Sequence, residues 1–412
     1  MIQAYEKSYK KYTISILILL PVVVVSLTAT VFGLWGLFFW DSHEISYADL
    51  RLITHNVDCL IRDPSFNSKS ISCDPWNRQI NYPWIWVEIF KVFNLGSEKT
   101  NLVGIFLNIV FIVTNFILLI RFNVMDIKYI FYLTILFLTP PVFMLMERGN
   151  IDIVIYLIVA GVSLLAASVT SMKIKSISVL IAIAGYLKLF PFALISIYFS
   201  LSKAMKKLSE KIFFLLIIAF SVILISPELK NLYNFSPDYP SMQYGVRNLV
   251  LQVSYCIPNN ILIGYCENNK PMEFLIGFII FTFVATIFWV IQKYFGKNLE
   301  SEELIRMINK EISAKITFLI FGICFTSSFL MGSSWYYRLV FLIPVVITFS
   351  SLIKNNLKDI ITAGIIVTFI TFSSSEIFFR ILASFLSTCL FVAISMIVLK
   401  IFWLDIKAKS VN

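Results

Sequence analysis

ISILILLPVVVVSLTATVFGLWGLFF, residues 14–39, contains no charged side chain. A helix made from it would be apolar around its whole circumference, which suits a hydrocarbon slab about 30 Å thick that takes about 20 helical residues to cross. Counted with this first block (13–40), further blocks fall near 101–121, 129–146, 151–171, 176–187, 190–204, 211–226, 273–292, 316–332, 338–353, 359–375 and 381–404. The 412-residue chain is 58% hydrophobic and 14% charged, with mean hydropathy +0.84. A soluble domain carries about 25% charged residues, so this chain cannot cover a soluble particle. The pattern predicts an all-α polytopic membrane protein of about 12 transmembrane or partial helices, a single integral membrane domain over residues 1–412. The first block outruns the h-region of a signal peptide and lacks a small-residue cleavage site, so it is expected to stay as a span.

The net charge of +10 is scattered through short connections, which argues against nucleic-acid binding. With the N-terminus placed in the cytoplasm, about 21 of the 34 basic residues fall in inner segments, the bias of the positive-inside rule. Both termini are then cytoplasmic. Two long loops, about 41–100 and 227–272, lie on the opposite side and are rich in Pro, Asn, Tyr and Asp. Cys59 and Cys73 fall in the first and Cys256 and Cys266 in the second. Two pairs confined to outer loops fit disulfides in an oxidising compartment; the alternative is four free thiols. Glu300, Glu302, Glu303, Arg306 and Lys310 have helical spacing and predict an exposed surface helix on the inner side.

No Gly-rich phosphate loop or nucleotide fingerprint is present, so a soluble nucleotide-sugar or ATP site is not expected. The stretches 176–187 and 190–204 are each short for a crossing, with Lys188 and Pro191 between them. Proline disfavours helix at the residue before it, and non-helical backbone at membrane depth is tolerated around a protein-lined cavity. A lysine at such a turn is a functional candidate.

Four polar clusters lie at outer span ends: Asp41, Glu44 and Asp49; Cys73-Asp74-Pro75-Trp76-Asn77-Arg78 with Asn81-Tyr82-Pro83; Glu147-Arg148-Gly149-Asn150 with Asp152; and Lys188-Leu189-Phe190-Pro191 with Trp335-Tyr336-Tyr337-Arg338. Arginine and lysine at an interface can hold a lipid phosphate. A nearby carboxylate can deprotonate a hydroxyl, and the aromatics can stack on sugar rings. Plainer readings stand beside these: Trp and Tyr form interfacial belts, Arg380 snorkels, and Asp41 marks a helix end. His43 and His55 share a loop without zinc spacing, and no metal is expected.

The acidic first loop, "NYP" (81–83), "ERGNID" (147–152), "LKLFP" (187–191) and "YYR" (336–338) together resemble membrane glycosyltransferases of the GT-C superfamily, nearest the family 87 polyprenyl-phosphate-dependent mannosyltransferases and related bacterial proteins. The resemblance covers residues 41 to about 345. It implies a GT-C-like architecture and transfer of a sugar from a polyprenyl-phosphate donor to a hydroxyl of a glycan or glycolipid, on the outer face of a bacterial inner membrane, with no cofactor. Asp49 in "SYADL" would be the general base, with Asp41 the second candidate. Arg148, Lys188 and Arg338 would hold the donor phosphate. Asn150 and Asp152 would orient the sugar or buttress Arg148, Asn81 and Tyr82 would line the acceptor side, and Arg78 and Tyr337 complete the substrate-binding set. The adjacent acidic pair of several superfamily members is absent from the first loop, which leaves the base assignment open and argues against a bound metal. The competing readings are an O-antigen-type polysaccharide polymerase and a lipid-linked sugar flippase or transporter; the latter needs charged residues near the bilayer midplane.

Overall fold

The computed structural model describes residues 2–32, 34–37, 46–66, 73–76, 78, 80–124, 126–166, 171–201, 208–228, 243–244, 312–330, 334–350, 356–372 and 377–410. Asp41, Cys256, Cys266, the expected span at 273–292 and the expected surface helix around Glu300 lie outside the described residues. The described residues are helical almost throughout. In order the helices are α1 (Ile2–Phe32), α2 (Ala48–Arg62), α3 (Ile85–Val92), α4 (Thr100–Phe122), α5 (Ile127–Phe137), α6 (Pro140–Arg148), α7 (Asp152–Ala166), α8 (Ser171–Leu187), α9 (Tyr198–Leu201) and α10 (Leu208–Ile225). They continue as α11 (Ile312–Leu330), α12 (Ile343–Ser350), α13 (Asn356–Thr371) and α14 (Ile377–Ser410). A two-residue antiparallel ladder pairs Gln243 with Trp335 and Tyr244 with Ser334.

Five described helical stretches are long and apolar enough to cross a membrane: Tyr12–Thr30, Ser97–Phe122, Leu208–Ile225, Ile312–Leu330 and Leu382–Ile406. A sixth is available if the bent pair Ile127–Phe137 and Pro140–Arg148 is one span. The chain is thus a membrane protein by the composition and length of its helices. The block expected as a single span at 129–146 is bent by 46°. The break falls at Pro140–Pro141: the rings remove two amide donors, and a proline disfavours helix at the residue before it, here Thr139, which lies outside both helices. Thr139 Oγ1 donates to the Leu136 carbonyl at 2.5 Å, satisfying one acceptor of the broken turn. Pro191 acts similarly farther along. α8 stops at Leu187, and the chain resumes as a 3-10 helix over Phe190–Ile197 before α9.

By internal contact the chain divides into two compact units. One comprises 1–18, 119–141 and 238–412, and the other 19–118 and 142–237. In the first, α11 packs on α12 and α14, α13 on α14, and α5 on α12 and α13. Polar ties hold the helix ends. Tyr129 Oη donates to Asp359 Oδ1 at 3.1 Å, Lys128 Nζ lies 2.7 Å from Asp359 Oδ2, and Lys358 Nζ caps the Phe349 carbonyl at 3.0 Å. Lys315 Nζ on α11 reaches Asp405 Oδ1 on α14 at 2.5 Å, both side chains about 15% exposed. In the second unit, α8 packs on α7 and α10, and α2 on α3.

Removing one partner of a largely buried ion pair leaves the other uncompensated. Asp405→Ala is expected to destabilise the α11–α14 pairing by about 2 kcal/mol, with the swapped pair Lys315→Asp/Asp405→Lys recovering most of the loss. Thermal unfolding of the detergent-solubilised variants checks this.

Candidate functional site

The second unit gathers the polar residues of three separated loops around the start of α2. The anchor is Tyr47, whose backbone sits in the left-handed region at φ 65° and ψ 38°. That conformation is uncommon for a bulky residue and costs on the order of 1–3 kcal/mol. It is offset locally: the Tyr47 amide donates to the Glu147 carbonyl at 2.6 Å, and its fully buried ring lies against Gly104 and Gly149. A Cβ on Gly104 would fall 2.5 Å from the Tyr47 ring, and one on Gly149, itself at φ 56°, 2.9 Å away. The two glycines therefore admit the ring, and the ring seats α2 on the end of α6.

Asp49 follows in the first turn of α2, where the helix dipole favours an acid. Its Oδ2 accepts from Asn150 Nδ2 at 2.6 Å, and its Oδ1 lies 3.5 Å from both Arg78 Nη1 and Arg148 Nη1. The Asn150 amide is fixed at its other end, because its Oδ1 accepts from the Asp152 amide at 2.8 Å and caps α7. Its nitrogen also donates to Tyr82 Oη at 3.0 Å. Lys188 Nζ, at the break after α8, lies 3.4 Å from Asp152 Oδ1 and 4.4 Å from the centre of the Tyr82 ring. Trp86 Nε1 donates to the Leu187 carbonyl at 3.1 Å, tying α3 to the same break.

Arg78 is held from several directions. Its Nε and Nη2 form a two-pronged pair with Asp74 at 2.9 and 2.8 Å, Nη2 also donates to the Ala48 carbonyl at 2.6 Å, and the guanidinium stacks 4.8 Å over Trp76. Burial works against its charge, but the Asp74 bonds and the Asp49 carboxylate outweigh it and hold Arg78 above its ordinary value. The turn bearing Asp74 and Arg78 is tethered to α2 by the Cys59–Cys73 disulfide, one of the two expected pairs. Among the described residues of this unit, three carboxylates (Asp49, Asp74, Asp152) thus meet three cations (Arg78, Arg148, Lys188).

Of the residues singled out from sequence, Asp49, Arg78, Arg148, Lys188, Asn150, Asp152 and Tyr82 come together here. Asn81 is half-buried beside Tyr82. Asn150, expected to orient sugar or buttress Arg148, binds Asp49. Arg338 and Tyr337 belong to the 3-10 helix Tyr336–Leu342 of the other unit. Arg51, two residues after Asp49, turns instead to the Ser46 carbonyl at 3.0 Å and Asn101 Oδ1 at 3.2 Å. Asp74, named only as a member of a polar cluster, was given no role; its Oδ2 accepts the amides of Trp76 and Arg78 in a tight turn. Tyr47 was missed and carried no such signal. Compared with family models, curated proteins and solved structures, the chain matches none.

Gly149→Ala combines a left-handed backbone with a close ring, and is expected to cost about 1–3 kcal/mol. Gly161→Ala, inside α7 and meeting nothing within 4 Å, is the control and should stabilise by up to about 1 kcal/mol; thermal unfolding separates the two. His55, on α2, is lowered below its ordinary value near 6.5 by burial first and by Arg51 second. A depressed histidine contributes stability that is present above its unfolded value and is lost as pH falls through its lower folded value. The unfolding midpoint should therefore drop on acidification below about pH 6.5, and His55→Gln should flatten that drop.

Proposed function

We propose that the chain is a membrane glycosyltransferase of the GT-C type, with about twelve full or partial spans. In this reading it takes a sugar from a polyprenyl-phosphate donor and passes it to a hydroxyl of a glycan or glycolipid. The observation that carries the reading is the clamp on Asp49: one carboxylate shared by Arg78 and Arg148 and oriented by Asn150. Such a site has a base and an anion-binding group within one constellation, which is what transfer from a phosphate ester requires.

The chemistry follows from the pairing. Each cation of the site has a carboxylate beside it, so an arriving phosphate competes for guanidinium donors rather than entering a bare positive pocket. Arginine suits this exchange, since its fork presents several donors in one plane. As the phosphate oxygens take over Arg78 and Arg148, Asp49 is released to accept the proton of the acceptor hydroxyl. That hydroxyl oxygen bonds to the anomeric carbon, and the carbon–oxygen bond to phosphate breaks with its electron pair going to the leaving group. The leaving anion needs little acid assistance, so fixed cations and a positioned acceptor supply most of the rate. Lys188, beside Asp152, adds a further cation for the donor phosphate, and Tyr82 stands on the acceptor side in this scheme. The reading does not rest on Arg338 or Tyr337.

The Cys59–Cys73 disulfide supports placing this cluster on the side facing an oxidising compartment, with both termini in the cytoplasm of a bacterial inner membrane. The test is direct. Purified protein in lipid is incubated with synthetic polyprenyl-phosphate sugars, and sugar release is followed. Asp49→Asn should lower transfer about a thousandfold while the thermal unfolding profile stays that of a folded chain. Near wild-type transfer by Asp49→Asn would remove Asp49 from the role of base, and absence of release with every donor would end the transferase reading.

A further inference from the structure

α3 ends in a way that its surroundings do not bury. Val92 is 79% exposed and Phe93 67%, although neither belongs to a span. Their exposure is built in. Asn94 takes the left-handed conformation at φ 51°, its amide donates to the Lys91 carbonyl at 2.9 Å, and the Leu95 amide donates to the Phe90 carbonyl at 2.8 Å. These two bonds are the Schellman pattern that ends a helix firmly. Lys99 Nζ donates to the Asn94 carbonyl at 2.7 Å, and the Asp58 carboxylate on α2 accepts the Ser97 amide at 3.2–3.3 Å. The segment from Phe90 to Ser97 is thereby bound to α2, leaving two large apolar side chains outward.

What lies beside them indicates the occupant. The span beginning at Ser97 exposes Leu102, Phe106, Ile109, Val113 and Ile117, a three-and-four spacing that draws one stripe along α4. This is the face a lipid tail would cover, and Val92 and Phe93 precede its start by only a few residues. Residues 91–99 also carry Lys91 and Lys99 against the single acid Glu98, a balance that suits an anionic headgroup layer. A helix with an apolar edge and lysines beside it can lie in the plane of a bilayer surface. We infer that the end of α3 is an interfacial anchor: Val92 and Phe93 enter the bilayer at the Ser97 end of α4, with Lys91 at headgroup level. The anchor would fix the height of the α2–α3 pair, and hence of Asp49, against the membrane surface.

The inference is independent of the reaction proposed above. Its test uses the full chain in vesicles with a nitroxide label on Val92→Cys, Phe93→Cys or Asn94→Cys, the signal of unsubstituted protein being subtracted. Collisions with oxygen, which concentrates in lipid, and with a water-soluble nickel chelate are compared. The expected result is oxygen-dominated collision at 92 and 93 and nickel-dominated collision at 94. Adding phosphatidylglycerol to phosphatidylcholine vesicles should deepen the label at 93, and Lys91→Gln should reduce that shift. Nickel-dominated collision at both 92 and 93 overturns the inference in favour of a solvated turn. Shielding from both reagents overturns it in favour of a protein occupant such as a second copy of the chain.

Discussion

Charges largely withdrawn from water must satisfy one another, and in this molecule that requirement converges on Asp49. Its carboxylate is the meeting point of Arg78, Arg148 and Asn150, which come from two stretches far apart in the chain, the turn around residue 78 and the junction of α6 with α7. Each residue is in turn fixed by something else: Arg78 by Asp74 and the disulfide, Arg148 by the end of α6, Asn150 by the start of α7. Remove the shared carboxylate and two guanidinium groups lose a counter-ion in a place of low effective dielectric, where the cost is highest.

The backbone contributes as much as the charges. Tyr47 accepts an unfavourable conformation so that its amide can reach Glu147, and Gly104 and Gly149 leave room for its ring. Two prolines break α5 from α6, and a third helps to end the helical run before Lys188. The irregular backbone at Tyr47, at Gly149 and at the break after Leu187 is thus found where the polar side chains collect, as expected when non-helical segments must be enclosed by protein.

Much of this was legible beforehand, for identifiable reasons. Long apolar blocks announce a membrane chain because hydrocarbon tolerates nothing else, and the spans at Ser97–Phe122 and Ile312–Leu330 fall where hydropathy put them. Cys59 and Cys73 stood out as a pair because few cysteines occur and these share a loop. Arg148, Asn150 and Asp152 were marked by crowding of polar residues at the ends of apolar runs. The bend at Pro140–Pro141 was missed because the hydropathy of 129–146 is continuous across it; composition averages over a break that two rings impose. The left-handed Tyr47 could not be read at all, since nothing in its neighbours asks for positive φ. The bond from Asn150 to Asp49 was not legible, because side-chain direction at a helix junction depends on how two helices meet, and spacing along the chain is silent on that.

Asn150 also has a mechanical meaning. A carboxamide has a donor at one end and an acceptor at the other, held in one plane, and here the acceptor receives the first turn of α7 while the donor faces Asp49. A half-turn of that plane would set oxygen against carboxylate and nitrogen against amide, losing both bonds together. The amide therefore works as a keyed linkage. Any tilt of α7 that displaces its first turn is passed to the carboxylate as a loss of its donor, so the orientation of one helix and the poise of one acid are set by the same rigid group.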